Sequence, residues 1–297
     1  MIMDAIFGEP KWLWSRTSHP VVLMGKLVGW CDQKFNHGSS RKLAGIMACG
    51  SLVIGAGALG QIIGAFPDDV IDMFILAIMI AHKSLVQHVK AVANGLRLSL
   101  NEGRHTVAMI VSRDTDSMDQ SAVARSAIES AAENLSDGVI APVFWFVIAG
   151  LPGLFIYKIV NTADSMIGYM TPQYRDFGWA AARLDDLLNI IPARLTALLL
   201  WLPHSKGAWS DIAKDARMHK SPNAGWPEAA MAYALDVALA GPRSYAGTLQ
   251  DFPYVNPQGK QILGPNDIDR ASTLLWQAWA IVLMVALVGG LSPFSWR

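Results

Sequence analysis

Between residues 125 and 194, acidic and basic side chains recur at spacings that bring them together on helices. Arg125, Glu129, Glu133 and Asp137 follow one another every four residues and so share one helix face. Asn161, Asp164 and Ser165 share a face by the same spacing, and Asp185 and Asp186 reach Asn189 within one turn. Around them stand Arg113, Arg175, Arg183 and Arg194, followed later by Lys214, Arg217, His219 and Lys220. Carboxylates in this pattern suit Mg2+, which takes one or two of them together with substrate phosphate oxygens. Guanidinium groups hold the remaining oxygens, two at a time. The chemistry these residues fit is a Mg2+-assisted reaction of a phosphorylated substrate. The competing reading is a structural network of ion pairs. Six acids and several arginines beside three broken apolar segments exceed what packing needs.

The elements that must position these groups are apolar. Of 297 residues, 52% are hydrophobic and only 16% charged, with mean hydropathy +0.30. A soluble domain carries about 25% charged residues, so the deficit points to a membrane protein. Lys+Arg and Asp+Glu both number 24, leaving no basic surplus for nucleic acid. Cys31 and Cys49 have neither disulfide nor zinc spacing and read as buried, inert thiols. The N-terminal MIMDAIFGEP carries Asp4 and Glu9 and no basic region, unlike a secretory signal.

Hydropathy predicts an all-α, polytopic integral membrane protein with transmembrane and re-entrant helices, forming a single domain over 1–297. The expected spans are about 43–66, 70–89, a broken 139–168, a short 187–202, and 273–291. Helical parts at 83–138 and 204–270 are expected on the cytoplasmic side. Lys34, Arg41 and Lys42 precede the first two spans and Lys83, Lys90, Arg97 and Arg104 follow them, which places an acidic loop of Asp68, Asp69 and Asp72 outside. Gly55, Gly57 and Gly60 form a G-x-G-x-x-G, but no βαβ unit surrounds it, so close helix packing in lipid explains it better. Pro152-Gly153 is expected to bend the third apolar run, and Arg194 to face the acids. Leu85, Val89, Val92, Leu96 and Leu100 make the apolar stripe of an amphipathic helix. His19 reads as structural more readily than as a ligand. Trp12, Trp14, Trp276, Trp279 and Trp296 suit interfacial anchors. Pro227 and Glu228 mark a helix N-terminus, able to offer N–H groups to phosphate, and 241–266 reads as a surface loop.

Several long words carry a resemblance: HPV at 19–21, RDT at 113–115, AIESAAENLSDGVIAPVFW at 127–145, NTADSMIGY at 161–169, YRDFGWAAARLDDLLNIIPARLTA at 174–197 and SPNAGWPEAAMA at 221–232. They resemble the CobD/CbiB family, the adenosylcobinamide-phosphate synthases of cobalamin biosynthesis, over most of the chain. The resemblance implies a multi-pass enzyme of the bacterial inner membrane, with its site facing the cytoplasm. It implies an ATP-dependent carbon–nitrogen ligase that joins (R)-1-aminopropan-2-ol, free or phosphorylated, to the free carboxylate of adenosylcobyric acid. ATP and Mg2+ are implied with it, and lipid surrounds the chain. A homo-oligomer, or a complex with other corrinoid-pathway membrane enzymes, is a further expectation.

Within that reading the roles are inferred from residue chemistry. Glu129, Glu133, Asp137, Asp164, Asp185 and Asp186 are the candidates for Mg2+. Arg125, Arg175, Asn161, Lys214 and Asn223 are candidates to hold the nucleotide. Arg183, Arg194 and Arg217 would steady the transferring phosphoryl group, and His219 would take the amine proton. No Walker A motif is present: Gly25-Lys26 is followed by Leu27 and has Pro20 where the upstream glycine belongs. Two alternatives stand beside the ligase. One is another Mg2+-dependent membrane transferase acting on a phosphorylated substrate. The other is a non-catalytic membrane sensor on the same scaffold.

Overall fold

The computed structural model describes residues 1–8, 14–66, 69–245 and 248–288. Trp12, Asp68, Trp296 and the end of the last expected span lie outside them. Thirteen α-helices fall among the described residues: α1 (Ile2–Phe7), α2 (Pro20–Phe35), α3 (Arg41–Gly64), α4 (Asp69–Met79), α5 (His82–Leu98), α6 (Leu100–Val107), α7 (Gln120–Leu135), α8 (Ala141–Ile167), α9 (Trp179–Leu188), α10 (Ile190–Trp201), α11 (Trp209–Ala216), α12 (Gly225–Leu235) and α13 (Pro265–Val288). This is an all-α polytopic membrane protein. Stretches 41–64, 70–98, 120–167 and 265–288 are long and apolar enough to cross a membrane. Large side chains such as Met47, Ile54 and Ile62 on α3 stand exposed, as a lipid-facing surface requires.

The chain gathers into two compact units. The first contains 1–81 and 137–190, the second 82–136 and 191–291. In the first, α8 is the centre, packed by α2, α3, α4 and α9 around Val28, Cys49, Ile159, Val160, Ala163, Phe177 and Ala181. The glycines of α3 work as close-packing surfaces. A Cβ on Gly60 would lie 2.5 Å from the Pro152 nitrogen, and one on Gly45 would lie inside the Phe177 carbonyl. Both thiols are free and buried. His19 caps α2, its Nδ1 accepting the Val21 N–H at 3.2 Å.

Two expected boundaries move. The second apolar run is not one helix, because it breaks at Ile80-Ala81 between α4 and α5. The bend in the third run falls at Ala149-Gly150 rather than 152–153. Gly150 takes φ 60°, ψ −151°, a conformation open essentially to glycine alone, and Pro152 then sits in the first turn of the continuing helix, where its missing N–H costs nothing.

The second unit is built on alanine-rich helices. Val123, Ala124, Ala127, Ile128 and Ala131 of α7 are fully buried, as are Ala229 to Ala232 of α12. Alanine favours the helix and lets neighbouring backbones approach closely. Asp119 caps α7 by accepting the Ala122 N–H at 2.7 Å. On α5 the buried stripe is Val86, Val89, Val92, Ala93 and Leu96, which replaces the expected Leu85 with Val86 and leaves Leu100 exposed. The segment expected as a surface loop is partly interior. It forms two small antiparallel pairs, β1 (Leu239–Ala240) with β4 (Tyr254–Val255) and β2 (Arg243–Tyr245) with β3 (Thr248–Gln250). Buried Asp215 fixes its return: Oδ2 accepts the Asn256 N–H at 2.8 Å and the Tyr233 hydroxyl at 3.2 Å.

Candidate active site

Each unit holds a polar group of side chains drawn from these motifs. In the first, the four-residue spacing along α9 brings Asp185 to Asn189, whose Nδ2 donates to Asp185 Oδ2 at 3.0 Å. Asn161 on α8 donates to the other oxygen at 3.2 Å. The Tyr157 hydroxyl lies 3.1 Å from Asn189 Oδ1 and 3.1 Å from the Asp137 carbonyl oxygen, so its single proton serves one of them at a time. Burial raises the Asp185 pKa, and the two amide donors pull it back only in part. Asp164 lies on the same helix as Asn161, with its Oδ1 where a Cβ of residue 168 would sit, which requires Gly168.

In the second unit, Glu129 is the centre of a buried charged cluster. Its Oε1 accepts the Ala240 N–H at 2.8 Å, and its Oε2 lies 2.9 Å from Arg113 and 3.4 Å from Arg243. Arg243 also approaches Glu228 on α12, at 4.0 Å, beyond hydrogen-bond length. Glu228 Oε1 is buried with no hydrogen-bond partner among the described residues. Its Oε2 lies 3.8 Å from His219 Nε2. The Glu228 pKa is pushed up to about 8, first by burial and then by the charge of Glu129. That of His219 is lowered by burial. His219 Nδ1 accepts the Ser221 N–H at 3.0 Å, so in the neutral ring the proton sits on Nε2, facing Glu228.

The residues singled out by spacing separate into these groups and others. Glu129 is buried, whereas Glu133, one turn on, is exposed. Asp137 falls in a π-turn over Ser136–Ile140, whose wider i→i+5 pitch breaks the four-residue register after Glu133. Asp186 pairs with exposed Arg183 at 3.4 Å, and exposed Arg175 lies 3.8 Å from its neighbour Asp176. Arg125 ties down the 236–263 segment, donating to the Ala238 and Gln261 carbonyls at 3.1 and 2.9 Å. Arg194 donates to Asn223 Oδ1 at 3.1 Å and lies over the Trp226 ring at 4.9 Å. It thus braces the SPNAGWPE turn, a destination that the expectation of acids did not include. Lys214 and Arg217 are exposed on and just after α11. The Asn223 and Ala224 N–H groups at the start of α12 are already taken by Ser221 Oγ, each at 3.2 Å, in competition with any phosphate.

Glu228 and Arg243 were missed as site residues. Glu228 carried a signal, since it opens the run AAMA, where a carboxylate before small apolar residues implies burial. Arg243 carried none, standing among Gly, Pro and Ser in a turn-rich segment.

Among the described residues no three acidic, His or Cys side chains gather as a metal cluster. Mg2+ needs fewer carboxylates than that when phosphates complete its shell. Asp185 fits such a role, because each of its oxygens accepts one amide proton and keeps a lone pair. Glu129 does not fit, being committed to two guanidinium groups that would repel a dication.

The CobD/Cbib protein family model matches residues 1–275. A cobalamin biosynthesis protein CobD of Brucella suis biovar 1 (strain 1330) is 45% identical over 97% of this chain and 95% of its own. A protein of the same name in Rhizobium meliloti (strain 1021) is 45% identical over 95% of this chain and 92% of its own. Another, in Rhodobacter capsulatus, is 43% identical over 99% of this chain and 96% of its own. No solved structure matches the chain.

Proposed function

Because this chain belongs to the CobD/CbiB family, we propose that it is an enzyme of cobalamin biosynthesis that forms the amide between a corrinoid carboxylate and an aminopropanol. One observation carries the proposal. Motifs far apart in sequence, RDT with Arg113, AIESAAEN with Glu129 and SPNAGWPEAAMA with Glu228, converge with His219 and Arg243 on one buried charged cluster.

A carboxylate does not condense with an amine unaided. In the proposed reaction ATP transfers its terminal phosphoryl group to the corrinoid carboxylate, giving an acyl phosphate and ADP. The amine then attacks the acyl carbon and phosphate leaves. Such transfer needs charge neutralisation and alignment more than covalent help from the protein. Two guanidinium groups share one committed carboxylate, an arrangement that suits an anionic substrate group. Mg2+, when bound, would neutralise phosphate oxygens, with Asp185 and Asp164 as the residues to hold it. Lys214 and Arg217, exposed and a few residues before His219 in sequence, remain candidates for the nucleotide phosphates.

The localisation proposed is the inner membrane, with 83–138 and 204–270 on the cytoplasmic side, where ATP is found. A cysteine placed at exposed Gln120 should resist an impermeant thiol reagent in intact cells; rapid labelling would reverse the orientation.

The test of the function is direct. Purified protein in lipid nanodiscs is supplied with adenosylcobyric acid, ATP, Mg2+ and either (R)-1-aminopropan-2-ol or its phosphate. Mass spectrometry should find the amide with one of the two amines, and only with ATP present. Absence of amide with both would overturn the reading.

A further inference from the structure

We propose that Glu228 is the residue that receives the nucleophilic amine and takes its proton as the amide bond forms. The inference rests on the ligase reading above and adds a catalytic residue to it. Three observations point to Glu228. Its Oε1 is a carboxyl oxygen in the interior with no hydrogen-bond partner among the described residues, although the side chain is only 6% exposed. A buried acceptor left unmatched costs stability, and an arriving N–H donor would remove that cost.

The second observation concerns the obvious competitor. His219 cannot take a proton as it stands. Its Nδ1 lone pair is occupied by the Ser221 N–H, and its Nε2, which carries the ring proton, faces Glu228 Oε2. His219 is therefore a positioning residue that orients the carboxyl from one side, leaving Oε1 on the other, 4.0 Å from Arg243 and without a hydrogen bond. Being the more exposed of the two, at 29% against 6%, it marks the solvent side of the pair.

The third observation is the charge around Glu228. Glu129 and Glu133 on α7, Arg113 from the segment before α7, Arg243 on β2 and His219 all act on it. Burial and the two other carboxylates outweigh the guanidinium groups, so the group titrates close to working pH, where a general base is most effective.

In the amide-forming step the nitrogen lone pair makes the new C–N bond to the acyl carbon. The C–O bond to phosphate breaks and its electron pair leaves with the phosphate. The proton released by nitrogen passes to Glu228 Oε1.

The experiment is the rate–pH profile of amide formation from pH 5.5 to 9.5 in nanodiscs, for wild type, Glu228→Gln, Glu228→Asp and His219→Gln. Wild type should rise with pH through an inflection near 8, as the carboxyl ionises, in addition to any rise from the amine's own ionisation near ~10. Glu228→Gln should lose that inflection and at least about 100-fold in kcat, a general base's usual share. Glu228→Asp should keep the inflection with a smaller loss, which also carries the test if the glutamine variant does not fold. His219→Gln should keep an inflection at a displaced pH. Loss of the inflection in His219→Gln with retention in Glu228→Gln would make His219 the base and overturn the proposal. So would wild-type kcat in either Glu228 variant. If wild type forms no amide at all, the ligase reading itself fails, a result distinct from a wild type that works without Glu228.

Discussion

The two compact units satisfy a central carboxylate in opposite ways. Asp185 in the first is held by two neutral amides, from Asn161 and Asn189. Glu129 in the second is held by the guanidinium groups of Arg113 and Arg243 and by a backbone N–H. Burial raises the Asp185 pKa, and these neutral donors, which bring no counter-charge, lower it only in part. Such a group is stabilised by the arrival of a cation. Glu129 is already neutralised by two guanidinium groups, whose charge Glu228 also feels together with that of Glu133, so the second unit has its counter-charges in place. One unit thus holds its carboxylate with neutral amides, whereas the other holds its carboxylate with cations.

The largest expected effect breaks the second unit. Glu129→Ala removes the carboxylate shared by Arg113 and Arg243 and orphans the Ala240 N–H. Truncating one partner of a buried ion pair costs about 3–5 kcal/mol. Denaturant unfolding in detergent, read against wild type, should show a loss of that order. Asp185→Asn turns one of the two acceptor oxygens into a donor facing an amide N–H and should cost about 1–3 kcal/mol, the scale of one unmatched buried donor. If Asp185→Asn proves the more damaging of the two, the contrast between the units is wrong.

A smaller effect is expected from packing in the first unit. Gly45→Ala would force a methyl group into the Phe177 carbonyl and should destabilise by about 1–3 kcal/mol. The readout is lower yield of folded protein from the membrane and a lower unfolding temperature. An unchanged temperature would mean that α3 and the 177 backbone are not in contact.

Glu228→Gln tests the charge of the second unit through stability and pH. The folded-state pKa of about 8 lies above the ordinary carboxylate value of 4.5, so the folded protein holds a proton that the unfolded chain releases in that window. Folding is therefore penalised progressively as pH rises from about 4.5 to about 8, and the glutamine variant escapes the penalty. The variant should gain unfolding temperature over wild type as pH rises through this range, then run parallel above it. A constant difference from about pH 5 to about pH 9 would show that Glu228 titrates normally.

The smallest effect belongs to the surface. Arg183 is 64% exposed and pairs with Asp186 at 3.4 Å, so Arg183→Ala should change stability by no more than about 0.5 kcal/mol. A larger loss would bring Asp186 into the working part of the first unit.

The sequence made the fold legible where the signal is additive. Hydropathy sums along the chain, so the run of α3 and its small-residue face were readable from composition alone. Positions where one residue resets the backbone were not readable to the same accuracy. The bend lies at Gly150 because only glycine tolerates its φ and ψ, although Pro152-Gly153 is the stronger sequence signal. Periodicity placed Asp185 beside Asn189, four residues apart on one helix. The α-helical periodicity used for Glu133 and Asp137 gives way to a π-turn at Ser136–Ile140, which residue spacing does not announce. The pairing of Arg243 with Glu129 joins distant positions through a segment that reads as loop, and no local pattern encodes it. Arg194 and Asn223 were both picked out by residue type, but their contact with each other was not.

The most direct measurement is the kcat for amide formation by Arg243→Lys in nanodiscs beside wild type, with unfolding temperatures for both. Lysine keeps the positive charge but loses the planar fork that reaches towards Glu129 and Glu228 together. Wild type should convert adenosylcobyric acid to its aminopropanol amide. The variant should lose about 100-fold or more in turnover while unfolding within a few degrees of wild type. Equal turnover by Arg243→Lys, or a wild type that leaves the corrinoid carboxylate unchanged, would contradict the assignment of the reaction to the Glu129–Arg243–Glu228 cluster.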